Sequence, residues 1–309
     1  MHHYVKNLDI NYKKRNTLIF MKKSYLRLHI AVILAGFTGV FGKLISLNEG
    51  LLVWYRVLLS AIILFFVLKF FKKDIKQSMP EKLTVSSVGM LITIHWIFFY
   101  ASIKYANISI GVVCYCLTSL FTAIFEPLIN KKPFSVPQLL LSCLTLLGIS
   151  LIFHFDSSYQ LGIWLGVVSA AFAALYTVFN ERLVKKHDSI VINYYQMVGG
   201  TIGLGLLLPF YLYFFPVTTL LPSTIDLLYL LLLATFCTVT LYVLFAEVLR
   251  VIPAFTVNLS FNLEPIYSII LAFMFFNEGK EVNASFYLGC AFVMLSVILQ
   301  SAFTKPKQV

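Results

Sequence analysis

The stretch GFTGVFGKLISLNEGLLVWYRVLL, Gly36 to Leu59, contains two apolar segments joined by the short polar turn Asn48-Glu49-Gly50. Both segments continue beyond the quoted letters to the roughly 20 apolar residues that an α-helix needs to cross about 30 Å of hydrocarbon. The pattern therefore predicts two antiparallel membrane-spanning helices. Lys43 and Arg56 lie on opposite sides of this turn and about equally far from it, so we expect them to be neighbours at the same depth.

The whole chain has the composition of a polytopic membrane protein. Of its 309 residues, 60% are hydrophobic and only 12% are charged, which excludes an ordinary soluble domain. The longest internal connection, Phe71 to Lys82, is too short for a soluble catalytic or nucleic-acid-binding domain. Charges and turn residues divide the chain into ten expected spans, near 28–47, 51–70, 83–103, 107–130, 136–154, 161–181, 189–214, 225–248, 252–277 and 283–303.

The cations are distributed unevenly between the two sides of the membrane. With a cytoplasmic N-terminus, all of the 24 Lys and Arg residues except Lys43, Arg56, Lys104 and Lys280 fall in the tails or in loops on that side. This is the positive-inside pattern, so both termini are expected in the cytoplasm and the protein in the cytoplasmic (inner) membrane. The basic charge is expected to face anionic lipid, with no nucleic-acid partner.

Short sequence matches indicate an internal repeat. GVFGKLIS (Gly39–Ser46) aligns with TVFNERLV (Thr177–Val184), and LTSLFTAI (Leu117–Ile124) aligns with LEPIYSII (Leu263–Ile270). Each half then holds five spans, and because five is odd, the second half enters the membrane from the opposite side. The predicted fold is an all-α polytopic membrane protein with ten transmembrane helices in two inverted five-helix repeats, an architecture typical of secondary transporters.

The repeat sets the expected boundaries and pairs. We expect a basic cytoplasmic tail at 1–27, the first repeat at 28–154, the second at 155–303 and a short tail at 304–309. Met21 is a second candidate start, and no small-residue cleavage site indicates a removable signal peptide. Aligning WYRV with YYQM pairs Arg56 with Gln196, while Lys43 pairs with Glu181.

Several short motifs are similar to those of a known family. AGFTGVFGK (Ala35–Lys43) is similar to a Trp-Gly motif that ends in lysine, and Tyr55-Arg56 to an aromatic-Arg pair. Leu263-Glu264-Pro265 and Asn277-Glu278 are similar to a Glu-Pro motif and a closing Gly-Glu. From about Leu28 to Ala302 the chain thus resembles the EamA-like ten-helix transporters of the drug/metabolite transporter superfamily. The resemblance implies a carrier for small metabolites, often an exporter of amino acids, with a cavity lined by spans 1, 3, 4, 6, 8 and 9.

The resemblance has departures, some of which involve charged residues. Ala35 stands in place of the motif's tryptophan, Ser119 in place of a proline, and Lys131-Lys132 in place of an acidic residue. Glu126 lies about a turn from these lysines and is expected to pair with them. Glu247 and Arg250, three residues apart, are expected to form a second local ion pair.

Polar residues within the spans are the candidate substrate residues. Span 4 repeats polar residues at helical spacing, and so does span 6, a pattern that favours a wet cavity; hydrogen bonding between helices is the alternative. His95 in span 3 is a candidate proton relay or a histidine that is hydrogen-bonded within the bundle. The predicted substrate cavity comprises Lys43, Arg56, His95, Tyr115, Ser119, Thr122, Tyr176, Asn180, Asn258 and Asn262.

The cation pair of the quoted stretch favours an anionic ligand. Two like charges in a partly dry place repel each other, so Lys43 and Arg56 require a carboxylate, water or an anionic ligand group. Lys43 shares a helix face with Gly36 and Gly39, which favours a position inside the bundle. The alternative is that both side chains extend to the outer interface, with Glu49 as counter-ion.

Glu264 is the candidate proton-coupling residue. It lies near the middle of span 9, immediately before Pro265, which removes a backbone donor and is expected to kink the helix. A carboxylate at that depth is costly and indicates a functional site, unless a cation such as Lys43 pairs with it.

The predicted function is that of a secondary transporter, an exporter of small metabolites such as amino acids or organic anions, working by alternating access and driven by a gradient or by protons. A channel or lipid scramblase is the alternative, and an intramembrane enzyme is a weaker one, because no catalytic or metal-ligand motif occurs in the sequence. Neither a cofactor nor a metal is expected. The expected partners are a small-molecule substrate and membrane lipids, and a homodimer remains open.

Overall fold

The computed structural model of the protein describes residues 2–74, 76–152, 159–268, 271 and 284–303, and these form helices and loops without a strand. The first half contains α1 (His2–Leu44), α2 (Glu49–Phe70), α3 (Met79–Tyr105), α4 (Ile108–Tyr115), α5 (Leu117–Asn130) and α6 (Val136–Ile152). The second contains α7 (Gln160–Leu183), α8 (Ser189–Phe214), α9 (Thr224–Ala234), a π-helical segment (Thr235–Thr240), α10 (Leu241–Leu249), α11 (Ala254–Phe261) and α12 (Ala284–Phe303).

The helices have the length and surface of a membrane protein. Within the described ranges, seven helical stretches are long and apolar enough to cross a membrane, and they include Met21–Leu44 at the end of α1. Large apolar side chains such as Phe66, Trp164 and Leu206 lie exposed on their outer faces. Such faces suit contact with lipid hydrocarbon, so the predicted all-α polytopic class is confirmed.

The first helix is longer than the sequence pattern suggests. Residues 2–27, expected only as a basic tail, continue α1 without interruption. Neither glycine nor proline occurs in this segment, so no local signal ends the helix there. The motif Asn277-Glu278 and the cation Lys280 lie outside the described residues.

Two expected spans are broken near the middle. In span 4, α4 and α5 meet at Cys116, whose N–H donates to Val113 O at 3.0 Å, while Ser119 N–H donates to Cys116 O at 3.3 Å. These are bonds between residues three apart, which tighten a helix turn and change its direction. The sequence contains no proline here, and the break went unpredicted.

The break in span 9 has a clear chemical cause. α11 ends at Phe261, and the backbone is helical again from Glu264. Pro265 lacks the N–H that would donate to Phe261 O four residues earlier, so a continuous α-helix cannot form across this point. The kink predicted at Pro265 is therefore a break of the helix just before it.

Helices α3 and α8 approach each other closely along their backbones. Helix α3 also packs on α7, and α2 packs on another side of α8. A Cβ atom on Gly89 of α3 would lie 2.3 Å from the carbonyl oxygen of Gln196, and one on Gly199 would lie 2.7 Å from Cα of Ser86. Only glycine permits this approach. The crossing fixes Gln196 of the second repeat deep in the bundle.

Candidate functional site

The described residues enclose a small polar cavity where the two halves of the chain meet. Its volume is about 30 Å³, room for only one or two water molecules. Helices α1, α2, α3, α4, α10 and α11 contribute to it, together with the short helical segment that follows α11. The lining residues are Ala35, Thr38, Arg56, His95, Trp96, Phe99, Tyr115, Leu241, Tyr242, Phe261 and Glu264.

Arg56 is the most heavily coordinated residue of the cavity. Only 1% of its surface is exposed, and its guanidinium carbon lies 3.8 Å from the centre of the Trp96 ring. Its Nε donates to Thr238 Oγ1 at 2.7 Å, one Nη to Tyr100 Oη at 2.9 Å and the other to Cys237 O at 2.9 Å. These contacts, all to neutral groups, fix the orientation of a buried cation without neutralising it.

Two of these acceptors belong to the π-helical segment. At its end, the Leu241 N–H donates to Phe236 O and Thr238 O. In a continuous α-helix this N–H would donate to Cys237 O, four residues earlier. The Cys237 carbonyl accepts from Arg56 instead. Single π turns inside α-helices are frequent at functional sites, and here the turn provides ligands for a charge.

Glu264 lies in the same cavity as Arg56. It is 4% exposed, and within the described part of the chain its carboxylate forms neither a hydrogen bond nor a direct ion pair. A carboxyl group in this setting is stabilised by the nearby cation and destabilised by the loss of water. The cavity therefore contains one fixed cation and one carboxyl group with unused hydrogen-bonding capacity.

His95 is held by the α7 backbone. Its Nδ1 lies 3.0 Å from Ser169 O and 2.8 Å from Ser169 Oγ, and the Ser169 hydroxyl also reaches His95 O at 3.0 Å. The rings of Phe99 and Tyr115 lie beside the imidazole, with centroids 5.8 and 5.3 Å away. Because Nδ1 is engaged, any interaction with a bound molecule is left to Nε2.

Lys43 is not part of this cavity. It lies exposed in the last turn of α1, where a long side chain can extend to the interface, whereas Gly36 and Gly39 are buried against neighbouring helices. The expectation that Lys43 lies inside the bundle as part of the substrate cavity is therefore corrected. Glu49, the proposed counter-ion, accepts a hydrogen bond from Tyr211 Oη at 2.6 Å.

Ser119 and Thr122, two polar residues of span 4, form hydrogen bonds with side chains of other helices. Asn258 Nδ2 donates to Thr122 Oγ1 at 2.7 Å, and Asn262 Nδ2 donates to Ser119 Oγ at 3.2 Å and to Thr145 Oγ1 at 3.3 Å. All five residues are buried and none lines the cavity. In this conformation these residues form hydrogen bonds between helices, which was the alternative to lining a wet cavity.

The polar residues of span 6 form a closed ring with α8. Tyr176 Oη donates to Gln196 Oε1 at 3.2 Å, Gln196 Nε2 to Asn180 Oδ1 at 2.9 Å, and Asn180 Nδ2 to Tyr176 Oη at 3.3 Å. Each member of this neutral group both donates and accepts one hydrogen bond within it. We call it the Gln196 ring.

Other expectations are met at the helix ends, and some site residues went unpredicted. Lys132 lies 3.5 Å from Glu126 and Arg250 lies 3.8 Å from Glu247, so both local ion pairs are confirmed. The aromatic partners of Arg56 and its ligand Thr238 carried no strong signal. The sequence feature that could have indicated Thr238 is a group of three threonines, Thr235, Thr238 and Thr240, in an otherwise apolar span.

Broken helices around a buried charged cavity define a membrane protein of the transporter type. The chain belongs to the EamA-like transporter family, whose profile matches twice, over residues 22–154 and 160–302. The two matches confirm the predicted architecture of two repeats within the drug/metabolite transporter superfamily.

Relatives and solved structures agree with this assignment. The chain is 26% identical over 275 residues to the "Uncharacterized transporter YdfC" of Bacillus subtilis, covering 86% of each protein. It is also 26% identical over 171 residues to an "Uncharacterized transporter" of Haemophilus influenzae, covering 51% of this chain and 54% of the relative. A crystal structure with 14% identity superposes with a TM-score of 0.71, covering 92% of this chain and 99% of the other, and shows the same fold.

Proposed function

We propose that this protein is a secondary transporter that exports a small carboxylate-bearing metabolite, such as an amino acid or organic anion, across the cytoplasmic membrane. The observation that carries the proposal is the buried Arg56 guanidinium, held at the wall of a cavity that it shares with Glu264.

The hydrogen bonds of Arg56 leave capacity for a ligand. A guanidinium has five N–H groups, and three of them point to acceptors on the protein. One N–H on each Nη remains, and a carboxylate is the ligand that such a charged donor prefers. The ligand would supply the negative charge that the neutral protein contacts lack.

The size of the cavity implies that substrate entry requires helix movement. A space of about 30 Å³ holds water and is too small for a metabolite, so the site must widen before a substrate can bind. The helix breaks at Cys116 and Asn262 immediately precede the aligned repeat segments, and Cys116 Sγ lies 3.9 Å from Asn262 O. Interrupted helices in corresponding positions of two repeats support alternating access around a fixed site.

Glu264 supports coupling to protons. A buried carboxyl group in the bilayer is stable when neutral and costly when charged, so taking up or releasing a proton alters which conformation it favours. Its position in the cavity of Arg56 allows a bound anion and a proton on Glu264 to depend on each other. Export driven by proton exchange would use this dependence.

The membrane setting completes the proposal. Both termini face the cytoplasm, anionic lipids contact the basic loops on that side, and a second copy of the chain is a candidate partner.

Transport in proteoliposomes tests this function. The probes are L-leucine, 4-methylpentanoate, which lacks the amine, and 3-methylbutylamine, which lacks the carboxylate. We expect saturable uptake and counterflow of the two carboxylates. Arg56→Gln is expected to abolish them, whereas Lys43→Gln, which removes the exposed cation of the same hairpin, leaves them unchanged.

Three outcomes would contradict the proposal. Transport of the amine alone, or normal carboxylate transport by Arg56→Gln, would show that Arg56 is not an anion site. Non-saturable flux or lipid movement without exchange would identify a channel or scramblase instead.

A further inference from the structure

The hydrogen bond from the Thr238 hydroxyl to the backbone differs from that of several other threonines in the protein. Thr93, Thr122, Thr145 and Thr177 each donate their hydroxyl to the carbonyl oxygen four residues earlier. In the π-helical segment the hydroxyl reaches one residue further back. Thr238 donates to Leu233 O at 3.0 Å and Thr240 to Thr235 O at 2.9 Å, both five residues earlier.

Thr238 and Thr240 share this backbone bond and differ in their burial and in their contact with Arg56. Thr240 is exposed and its hydroxyl bonds to the backbone, whereas Thr238 is buried and its oxygen also accepts from Arg56 Nε at 2.7 Å. The proton of Thr238 is committed to Leu233 O, so its lone pairs face the guanidinium. The π turn thus presents a hydroxyl oxygen and the Cys237 carbonyl oxygen side by side.

We infer that Thr238 is a positioning residue: through the π-helical turn it fixes the edge of the Arg56 guanidinium, so that the remaining N–H groups face the cavity. The Nε and one Nη are bound along one edge of the fork, by Thr238 and Cys237. A planar guanidinium held along one edge can turn only slightly. Two-point recognition of a carboxylate depends on this orientation, because both N–H groups must align together.

The role in carboxylate recognition rests on the proposed function, whereas the control of guanidinium orientation does not. Valine has nearly the shape of threonine and removes only the hydroxyl, so Thr238→Val leaves the buried Nε–H without its acceptor. Thr238→Ser keeps the hydroxyl. Thr240→Val is the matched control, because it removes the same kind of backbone bond from the same π turn without touching Arg56.

The first measurement needs no substrate. The chain contains few arginines, Arg15, Arg27, Arg56, Arg182 and Arg250, so [¹⁵N]arginine labelling in nanodiscs gives a simple Nε–Hε spectrum. The Arg56 signal is assigned by its loss in Arg56→Lys. We expect Thr238→Val to shift or broaden this signal, and Thr238→Ser and Thr240→Val to leave it in place. An unchanged signal in Thr238→Val would overturn the inference.

The second measurement uses transport of the leucine-derived probes. We expect Thr238→Val to raise the KM for L-leucine and 4-methylpentanoate about tenfold and to leave any 3-methylbutylamine transport unchanged, with both other variants within about twofold of wild type. Equal losses in Thr238→Val and Thr240→Val would mean that the π turn matters only for folding, and would overturn the inference. If the signal moves as expected but Arg56→Gln transports carboxylates normally, the positioning role stands and the proposed function fails.

Discussion

The repeat alignment pairs Arg56 with Gln196, yet the surroundings of the two residues differ completely. Both are buried, with 1% and 0% of their surface exposed. Arg56 carries a charge to the wall of a cavity, where Glu264 also lies. Gln196 sits in a closed ring of neutral hydrogen bonds away from that cavity. The fold is repeated, but within the described residues only the position in the first repeat carries a charge.

Physical chemistry explains why the two positions do not resemble each other. A neutral ring in which each side chain both donates and accepts a hydrogen bond is stable at depth without a ligand. A buried cation with only neutral partners is costly, and it persists because other contacts of the fold hold it there. The cost of burying Arg56 is the reason for proposing a function for it, whereas the hydrogen bonds of the Gln196 ring connect α7 with α8.

Arg56→Gln gives the first repeat the residue of the second, and we expect the largest functional effect from it. Carboxylate counterflow should fall at least about 100-fold, or ~2.7 kcal/mol at 1.36 kcal/mol per tenfold change. The neutral amide removes a buried charge, so the thermal unfolding midpoint should stay within a few degrees of wild type. Arg56→Lys serves as the control: it keeps the charge and loses the fork, and should recover transport only in part. A large loss of stability in Arg56→Gln would assign Arg56 a structural role.

Gln196→Leu tests the other side of the comparison. The substitution leaves Tyr176 Oη without its acceptor and Asn180 Oδ1 without its donor, at an expected cost of about 1–3 kcal/mol in the free energy of unfolding. Transport of 4-methylpentanoate should change much less than in Arg56→Gln. Gln196→Glu, which retains an acceptor for Tyr176, provides a second variant. If Gln196→Leu abolished transport in stably folded protein, the ring would belong to the substrate path.

The sequence predicted the frame of the molecule better than its site. Hydrophobic length and the internal repeat were sufficient for the all-α class and the two repeats, because a bilayer permits few alternatives, but not for the helix break at Cys116. Lys43 and Arg56 look equivalent in the sequence, and only the three-dimensional structure separates the exposed lysine of a last helix turn from the buried arginine. The π turn at Thr238 depends on contacts between distant helices, which no local pattern records.

Glu264→Gln examines the carboxyl group that shares the cavity with Arg56. If the carboxyl group carries the coupling proton, transport by the variant should no longer depend on external pH. The rate of net, proton-driven export should fall about tenfold. Exchange of substrate for substrate should continue, because it needs no net proton movement. The measurements are pH profiles of net transport and of counterflow in the same proteoliposomes, with Glu126→Gln, at a helix end, as the control. A full pH dependence in Glu264→Gln would remove Glu264 from the coupling mechanism.

The smallest effect is expected where α2 and α8, the helices of Arg56 and Gln196, are joined at their ends. Lys73 follows α2 and donates to Asp188 Oδ2 at 2.7 Å, while Asp188 Oδ1 caps α8 by accepting from Ile190 N–H at 2.9 Å. Burial alone would raise the pKa of Asp188, but the hydrogen bond and charge of Lys73 and the backbone donor hold it below its usual value of 3.8.

Because the pKa of Asp188 is lowered in the folded protein, the stability that it contributes is present above pH 3.8 and is lost as the pH falls through the lowered pKa. Both side chains are partly exposed, so Asp188→Asn, which keeps the cap, should cost less than about 1 kcal/mol at neutral pH. Lys73→Met should have the same effect, and 1 M salt should erase both differences in thermal unfolding. A larger, salt-independent loss of stability in either variant would contradict this expectation. It would mean that the Lys73–Asp188 contact holds α2 and α8 together more than their packing does.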